Sequence, residues 1–182
     1  IVSCLGRFKN VNKAVPAHFQ NNESVILLVG ERKNELGGSV YYSLKNELGA
    51  NVPKPNFEEV KNQIFALTDC IDDGLVSSCH DIADGGVASA LAEMTFKNSI
   101  GCNVNIESDL SPDKILFSET GGFILEVLPK NIDTIKSVFS NYELGVFEIG
   151  STGGESIQIN GITDIFVSET KKAWTNGLRE KL

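Results

Sequence analysis

Two aspartates and two glycines stand close together in HDIADGGVASALAE, residues 80–93, the strongest local signal in the chain. The segment before it predicts a strand that delivers Asp81 and Asp84 to a tight loop, and Gly85 and Gly86 open the helix that follows. A helix N-terminus presents free N–H groups to an anion, and Mg²⁺ prefers carboxylate and phosphate oxygens. The pattern fits a phosphate at Asp84, Gly85 and Gly86 with a metal ion on Asp81. The alternative is that Asp84 caps the helix and the glycines only turn the chain.

A second candidate is LFSETGGF, residues 116–123, in which Ser118, Glu119 and Thr120 precede two glycines and a predicted strand. Hydroxyls and glycine amides together form an anion nest, and the Glu119 carboxylate has the chemistry to bind a cation or a ribose hydroxyl. The alternative is an ordinary turn. Because α/β sheets place their sites in loops at strand ends, we expect any ligand to bind where this loop meets the HDIADGG loop.

A third strand–loop–helix signal is GERKNELGGSVYY, residues 30–42. It lacks both the P-loop pattern and the G-x-G-x-x-G dinucleotide pattern, so neither of those nucleotide sites is predicted here. Its glycines, Gly37 and Gly38, open a helix after a strand in the manner of the HDIADGG loop. Close packing of that helix on the sheet is the alternative explanation.

The composition narrows the class of protein. Of the 182 residues, 41% are hydrophobic and 22% are charged, which is enough apolar material for one globular core. A net charge of −8 argues against nucleic-acid binding, since a phosphate backbone needs a cationic surface. No apolar run approaches about 18 residues, so no membrane span is expected. The four cysteines lack any C-x-x-C pairing and are expected to be reduced thiols of a cytoplasmic protein.

Strand and helix signals alternate along the chain. Apolar runs predict buried strands near residues 24–31, 76–82 and 123–128, and apolar spacing predicts helices near residues 57–72 and 86–98. Ile64 and Leu91 are expected on the buried faces of those helices. This order predicts an α/β (α+β) sandwich with a mixed β-sheet covered by helices. We expect residues 1–23 to be a lead-in strand and linker, and residues 24–182 to form the domain.

Four segments carry a family resemblance: GERKNELGGSVYY, HDIADGGVASALAEM, LFSET and the terminal ETKKAWTNGL. Together they resemble the last domain of phosphoribosylformylglycinamidine synthase, synthetase subunit, in the aminoimidazole ribonucleotide synthetase-like superfamily. The opening VSCLGRFKNVNKAVPAHF is similar to the segment that enters that domain, so the resemblance covers essentially the whole chain. It implies an aminoimidazole ribonucleotide synthetase C-terminal domain-like fold.

The resemblance implies a purine-biosynthesis ligase that converts formylglycinamide ribonucleotide to formylglycinamidine ribonucleotide with ATP and glutamine-derived ammonia. The chain, which has no initiator Met, would be the C-terminal domain of the second half of a duplicated subunit and inactive alone. No catalytic residue carries over to it. The implied cofactors are ATP or ADP and Mg²⁺. The implied partners are the missing N-terminal domains, a glutaminase subunit and a small accessory subunit.

Two other interpretations of the chain's function stay open. In the family, the working copies of these loops belong to the first half, and in some members the second-half copy is linked to an auxiliary nucleotide with a structural role. Family members often carry an arginine a few residues after the serine–glutamate pair, whereas LFSETGGF has none. The alternative is therefore a non-catalytic structural or assembly domain with a vestigial or auxiliary nucleotide site. A domain of another superfamily member, such as selenophosphate synthetase, is the other possibility.

Overall fold

The computed structural model describes residues 3–7, 10–159 and 161–177. Within them, one sheet has seven strands in the order β2-β4-β1-β5-β3-β6-β7. The strands are β1 (Val25–Val29), β2 (Val76–Asp81), β3 (Cys102–Val104), β4 (Phe123–Val127), β5 (Val146–Thr152), β6 (Ser156–Ile159) and β7 (Thr163–Phe166). The α-helices are α1 (Val40–Leu44), α2 (Phe57–Asp72), α3 (Gly86–Thr95), α4 (Pro112–Phe117), α5 (Ile132–Asn141) and α6 (Val167–Asn176). No helix in these described ranges is long and apolar enough to cross a membrane.

The sheet is mixed, and its strand directions bring the candidate loops to one edge. The pairings make β1, β2, β3 and β6 run in one direction, and β4, β5 and β7 in the other. In the register, Asp81 lies opposite Phe123, Phe123 opposite Val29, and Val29 opposite Val146. The loops after β1 and β2 and the loop before β4 therefore meet at the same edge of the sheet.

The core lies on both faces of the sheet, as expected for a sandwich. Along β1, Ile26 and Leu28 belong to a cluster under α3 and α4, whereas Leu27 and Val29 belong to a second cluster under α2 and α5. Successive strand residues point to opposite faces, so a strand buried on both faces must be apolar throughout. The predicted mixed sheet covered by helices is confirmed.

The two helices predicted from apolar spacing form, but one predicted core residue is wrong. Leu91 of α3 is fully buried, whereas the Ile64 side chain on α2 is 46% exposed. The buried face of α2 instead carries Gln63, Ala66, Leu67 and Cys70. The apolar stripe on α2 is wider than the face that the sheet covers, which leaves Ile64 at its margin.

The helix that Gly37 and Gly38 were predicted to open is short, because the segment folds back on itself. It contains only the five residues of α1. The Gly37 N–H donates to the Asn51 carbonyl at 2.7 Å, and the Gly38 N–H donates to the Leu48 carbonyl at 2.7 Å. A Cβ on Gly37 would lie 2.7 Å from the carbonyl carbon of Asn51, so this glycine serves close backbone packing against a loop.

The segment that enters β1 is fastened by a buried carboxylate. Glu126 of β4 is fully buried and accepts hydrogen bonds from the Gln20 N–H at 2.7 Å, the Asn21 N–H at 2.9 Å and the Ser78 hydroxyl at 2.8 Å. Phe19 is buried in the core beside it. No strand is found in the described residues before β1, where a lead-in strand was expected, since these side-chain bonds fix the segment instead. The division at residues 1–23 and 24–182, whose ends lie partly outside the described residues, stays a prediction.

Replacing Leu91 with alanine should lower the free energy of unfolding by roughly 2–5 kcal/mol, because truncation of a fully buried leucine leaves a cavity. Urea denaturation of the purified chain measures the loss. Ile64→Ala is the matched control, and it should lose clearly less because that side chain is 46% exposed. A loss below about 0.5 kcal/mol for Leu91→Ala, the range of ordinary surface changes, would contradict the packing of α3.

Candidate functional site

The HDIADGG and LFSET loops meet through one carboxylate. Oε1 of Glu119 accepts a hydrogen bond from the Gly85 N–H at 2.9 Å and another from the Val40 N–H at 2.8 Å. Gly85 is the N-cap of α3, and Val40 is the first residue of α1. We call this meeting point of the β1–α1, β2–α3 and α4–β4 loops the loop junction. It brings together all three segments singled out from the sequence.

The two hydroxyls of the LFSET loop are bonded within the protein. Ser118 is fully buried, and its Oγ lies 3.0 Å from Oγ1 of Thr120. Thr120 Oγ1 donates to Oε2 of Glu35 at 2.7 Å. Because the single proton of Thr120 goes to Glu35, Ser118 is the donor in the other bond. Both predicted phosphate-binding hydroxyls thus have protein partners.

A buried arginine from the β1–α1 loop fixes the backbone of the LFSET loop. Arg32 is 8% exposed; its Nη1 donates to the Thr120 carbonyl at 2.6 Å, and its Nη2 donates to the Gly121 carbonyl at 2.9 Å. Its Nε is buried without a hydrogen-bond partner. Burial lowers the pKa of the guanidinium to about 10, an effect that the Glu35 carboxylate opposes. The LFSET loop, which lacks an arginine of its own, receives one from the neighbouring loop.

The glycines that open α3 serve close packing of protein on protein. Gly86 has φ of +68°, and a Cβ there would lie 2.6 Å from the Leu116 carbonyl oxygen and 2.9 Å from the Phe117 Cα. Gly85 has φ of +77°, which side chains rarely adopt, and a Cβ there would collide with Ser89. The close backbone approach at Gly86 is therefore made by α4, whereas the sequence pattern suggested a ligand or a simple turn.

The two aspartates of the HDIADGG loop face solvent. The side chain of Asp81 is 68% exposed, and its Oδ1 lies 3.4 Å from Nδ1 of His80. The Nε2 atom of His80 lies 3.3 Å from Oε2 of Glu93. Asp84 is exposed and does not cap α3, whose N-cap Gly85 has no side-chain cap hydrogen bond, so the predicted cap at Asp84 is wrong. In the described part of the chain, no group of three His, Cys, Asp or Glu residues is placed to hold a metal ion.

The family of the chain follows from its sequence. Residues 21–160 match the model of the family described as AIR synthase related protein, C-terminal domain. The chain belongs to this family. The match includes all three loops of the junction.

Two curated relatives of this AIR synthase related domain carry the same name. The phosphoribosylformylglycinamidine synthase subunit PurL of Methanothrix thermoacetophila is 31% identical over 100% of this chain and 25% of its own length. The PurL subunit of Thermoplasma volcanium is 33% identical over 97% of the chain and 24% of its own length. The chain therefore spans about a quarter of the length of these relatives.

Solved structures show the same fold. T. maritima PurL complexed with FGAR superposes with a TM-score of 0.76 at 19% identity, over 88% of this chain and 30% of that one. T. maritima PurL complexed with ATP superposes with a TM-score of 0.70 at 20% identity, over 88% of this chain and 28% of that one. A thiamine-monophosphate kinase from Stenotrophomonas maltophilia superposes with a TM-score of 0.58 at 11% identity, over 82% of this chain and 54% of that one. At these identities the similarity establishes the AIR synthase related fold alone.

Beside the loop junction lies a cavity of about 590 Å³ that the sequence did not predict. Its lining combines Arg32 with the carboxylate-bearing Glu31, Glu107 and Glu148 and the ring of Phe147. Three carboxylates repel a phosphate group, so this cavity does not replace the junction as the candidate phosphate site.

The sequence identified the three loops but missed how they are joined. The nucleotide fingerprints, which the GERKNELGG segment does not match, give no role to Arg32 or Glu35. The available signal was a positive and a negative side chain three and six residues after the end of a buried strand, where a buried charge must find partners. For Glu119 the sequence suggested a cation or a ribose hydroxyl, whereas the structure gives it two backbone amides.

Replacing Arg32 with lysine should lower the free energy of unfolding by about 1–3 kcal/mol. Lysine keeps the charge, but its ammonium cannot bond the Thr120 and Gly121 carbonyls in the planar geometry of a guanidinium. Chemical denaturation provides the measurement. Lys130→Met, which removes an exposed cation, serves as control and should stay within about 0.5 kcal/mol of the wild type. An Arg32→Lys variant as stable as that control would show that the LFSET loop does not need the guanidinium.

Proposed function

We propose that the chain is the C-terminal domain of the second half of a phosphoribosylformylglycinamidine synthase, synthetase subunit. The whole subunit converts formylglycinamide ribonucleotide to formylglycinamidine ribonucleotide with ATP and glutamine-derived ammonia. The observation that carries this proposal is the alignment of the entire chain, at 31% identity, with a PurL subunit. Selenophosphate synthetase gains no support, because the relatives that match the chain from end to end are PurL subunits.

The loop junction is the proposed site for the phosphates of ATP or ADP. Asp84, Gly85 and Gly86 lie on one side of it, and Ser118, Glu119 and Thr120 on the other. Strand ends converge there, and the T. maritima PurL structures in complex with ATP and with ADP support nucleotide binding in proteins of this fold. This chain contributes positioning, since Arg32 and Glu35 hold the LFSET loop in place.

Mg²⁺ fits this site only together with a nucleotide. Asp81 is the proposed protein ligand, and its exposed carboxylate is available on the same sheet edge. Mg²⁺ is usually bound by one or two carboxylates, with phosphate oxygens and water completing its octahedron. The absence of a three-residue cluster in the described residues agrees with such a shared site and disagrees with an all-protein metal cage.

The proposed partners are the remaining domains of the same subunit, a glutaminase subunit and a small accessory subunit, all in the cytoplasm. The T. maritima PurLQS structure, which superposes with a TM-score of 0.70, supports an assembly of this kind. The alternative of a purely structural or assembly domain has the bonded hydroxyls of Ser118 and Thr120 in its favour. It predicts a junction that never binds nucleotide.

The chain alone should not catalyse the reaction, whereas the full-length subunit that contains it should. The assay follows ADP release with formylglycinamide ribonucleotide, ATP and ammonia. No catalytic residue is assigned to this chain, and it spans about a quarter of its relatives. Turnover of the isolated chain at about 1–10³ s⁻¹, the range of ordinary enzymes, would refute its assignment as one domain of a larger enzyme.

Binding of ADP to the chain should be weak and should require Mg²⁺ and Asp81. Titrating the wild type and Asp81→Ala with ADP, with and without Mg²⁺, tests the metal site by calorimetry. Asp109→Ala, which removes an exposed carboxylate elsewhere, should bind as the wild type does. Unchanged metal-dependent binding in Asp81→Ala would exclude Asp81 as a ligand. No binding at millimolar ADP would favour the structural alternative.

A further inference from the structure

The chain's own carboxylate sits where the proposed site needs a phosphate. Oε1 of Glu119 lies 2.8 Å from the Val40 nitrogen and 2.9 Å from the Gly85 nitrogen, and it accepts a hydrogen bond from both. The Gly85 amide stands at the N-terminal end of α3, where partial positive charge favours an anion. A phosphate oxygen arriving at the Gly85 amide would therefore compete with Glu119 for the same donor.

Several hydrogen bonds hold the loop around Glu119, whereas within the described residues the Glu119 side chain itself makes only these two. Its neighbours are fixed, since Ser118 is buried and the Thr120 carbonyl is bonded to Arg32 at 2.6 Å. Among the ion pairs of the described residues, none includes Glu119. Glu119 is also only half-buried, so its carboxylate can rotate into solvent while the loop stays in place.

We propose that Glu119 is an autoinhibitory contact that closes the loop junction in the ligand-free chain and is displaced by a phosphate group. The inference rests on the proposed function, because it concerns regulation of the same site. Two anions cannot share one pair of donors at close range without strong repulsion. The observed affinity for phosphate is then the affinity of the open junction multiplied by the fraction of molecules in which Glu119 has moved away.

The proposal is tested by whether one substitution raises or lowers the affinity for phosphate. Glu119→Gln keeps the size of the side chain but removes its charge, so its hold on the two amides weakens. Inorganic phosphate, titrated at constant ionic strength, should then bind at least about tenfold tighter than to the wild type, as expected when a charged hydrogen bond is weakened. The chemical shifts of the Val40 and Gly85 amides in NMR spectra report binding at the junction itself.

The control removes the same charge elsewhere. Glu169→Gln changes an exposed carboxylate on α6, away from the loop junction, and it should leave the phosphate affinity unchanged. Equal or weaker binding in Glu119→Gln would overturn the proposal, since a glutamate that binds the ligand or positions the loops for it must lower affinity when neutralised. Absence of phosphate binding in wild type and variant alike would overturn it as well.

Hydrogen exchange gives a second readout, which also separates this proposal from the nucleotide assignment. The Val40 and Gly85 amides should exchange faster in Glu119→Gln than in the wild type, and in Glu119→Asp by an intermediate factor. Glu119→Asp keeps the charge and covers the case in which the glutamine variant does not fold. If Glu119→Gln binds phosphate more tightly but ADP does not bind, the autoinhibitory contact is supported and the nucleotide site is rejected. Unchanged exchange at both amides would reject the contact itself.

Discussion

The position of β4 is the constraint on which the candidate site depends. β4 lies between β1 and β2 and runs antiparallel to both, so the loop that precedes it starts at the edge where β1 and β2 end. A residue in that loop has the loops after β1 and β2 on either side. Glu119 therefore reaches amides from two different segments.

The buried charged groups near β4 form hydrogen bonds mainly with backbone groups. Glu126 is fully buried and accepts two of its hydrogen bonds from backbone N–H groups, while Arg32 donates to backbone carbonyls. An isolated buried charge is costly, and several hydrogen bonds to oriented dipoles offset that cost. The two residues stabilise different segments: Glu126 binds the chain entering β1, and Arg32 binds the loop entering β4. The precision of the site thus comes from bonds that span segments far apart in sequence.

The sequence was informative where apolar periodicity decides the structure. Strands β1, β2 and β4 and helices α2 and α3 lie where their patterns predicted, because burial on one or two faces imposes a spacing on the residues. The same reasoning failed for Ile64 because a periodic stripe does not show how far the covering surface extends. It failed for α1 because the bonds that fold the chain back join Gly37 and Gly38 to residues ten or more positions away.

For the site, residue types predicted which loops carry polar groups but not which partners those groups have. Ser118, Glu119 and Thr120 have the composition of an anion nest, yet all three are bonded within the protein. Glu119 accepts from the Val40 and Gly85 amides. Thr120 donates to Glu35 and is itself bonded to Ser118. A glutamate in a glycine-rich loop has the same local sequence whether it faces a ligand or a neighbouring amide. The distinction arises only from the placement of other segments, which the strand order determines.

The fold by itself does not specify a function. A thiamine-monophosphate kinase shares it at 11% identity, and PurL from T. maritima shares it at 19%. What separates such proteins is the loop edge, where the same strand ends can carry different side chains. In this chain a carboxylate already accepts from the Val40 and Gly85 amides of the proposed phosphate site, so a ligand there must supply more favourable contacts than Glu119 does. The neighbouring domains proposed for the whole subunit are one source of such contacts, and the energetics of this junction then depend on whether those domains are in place.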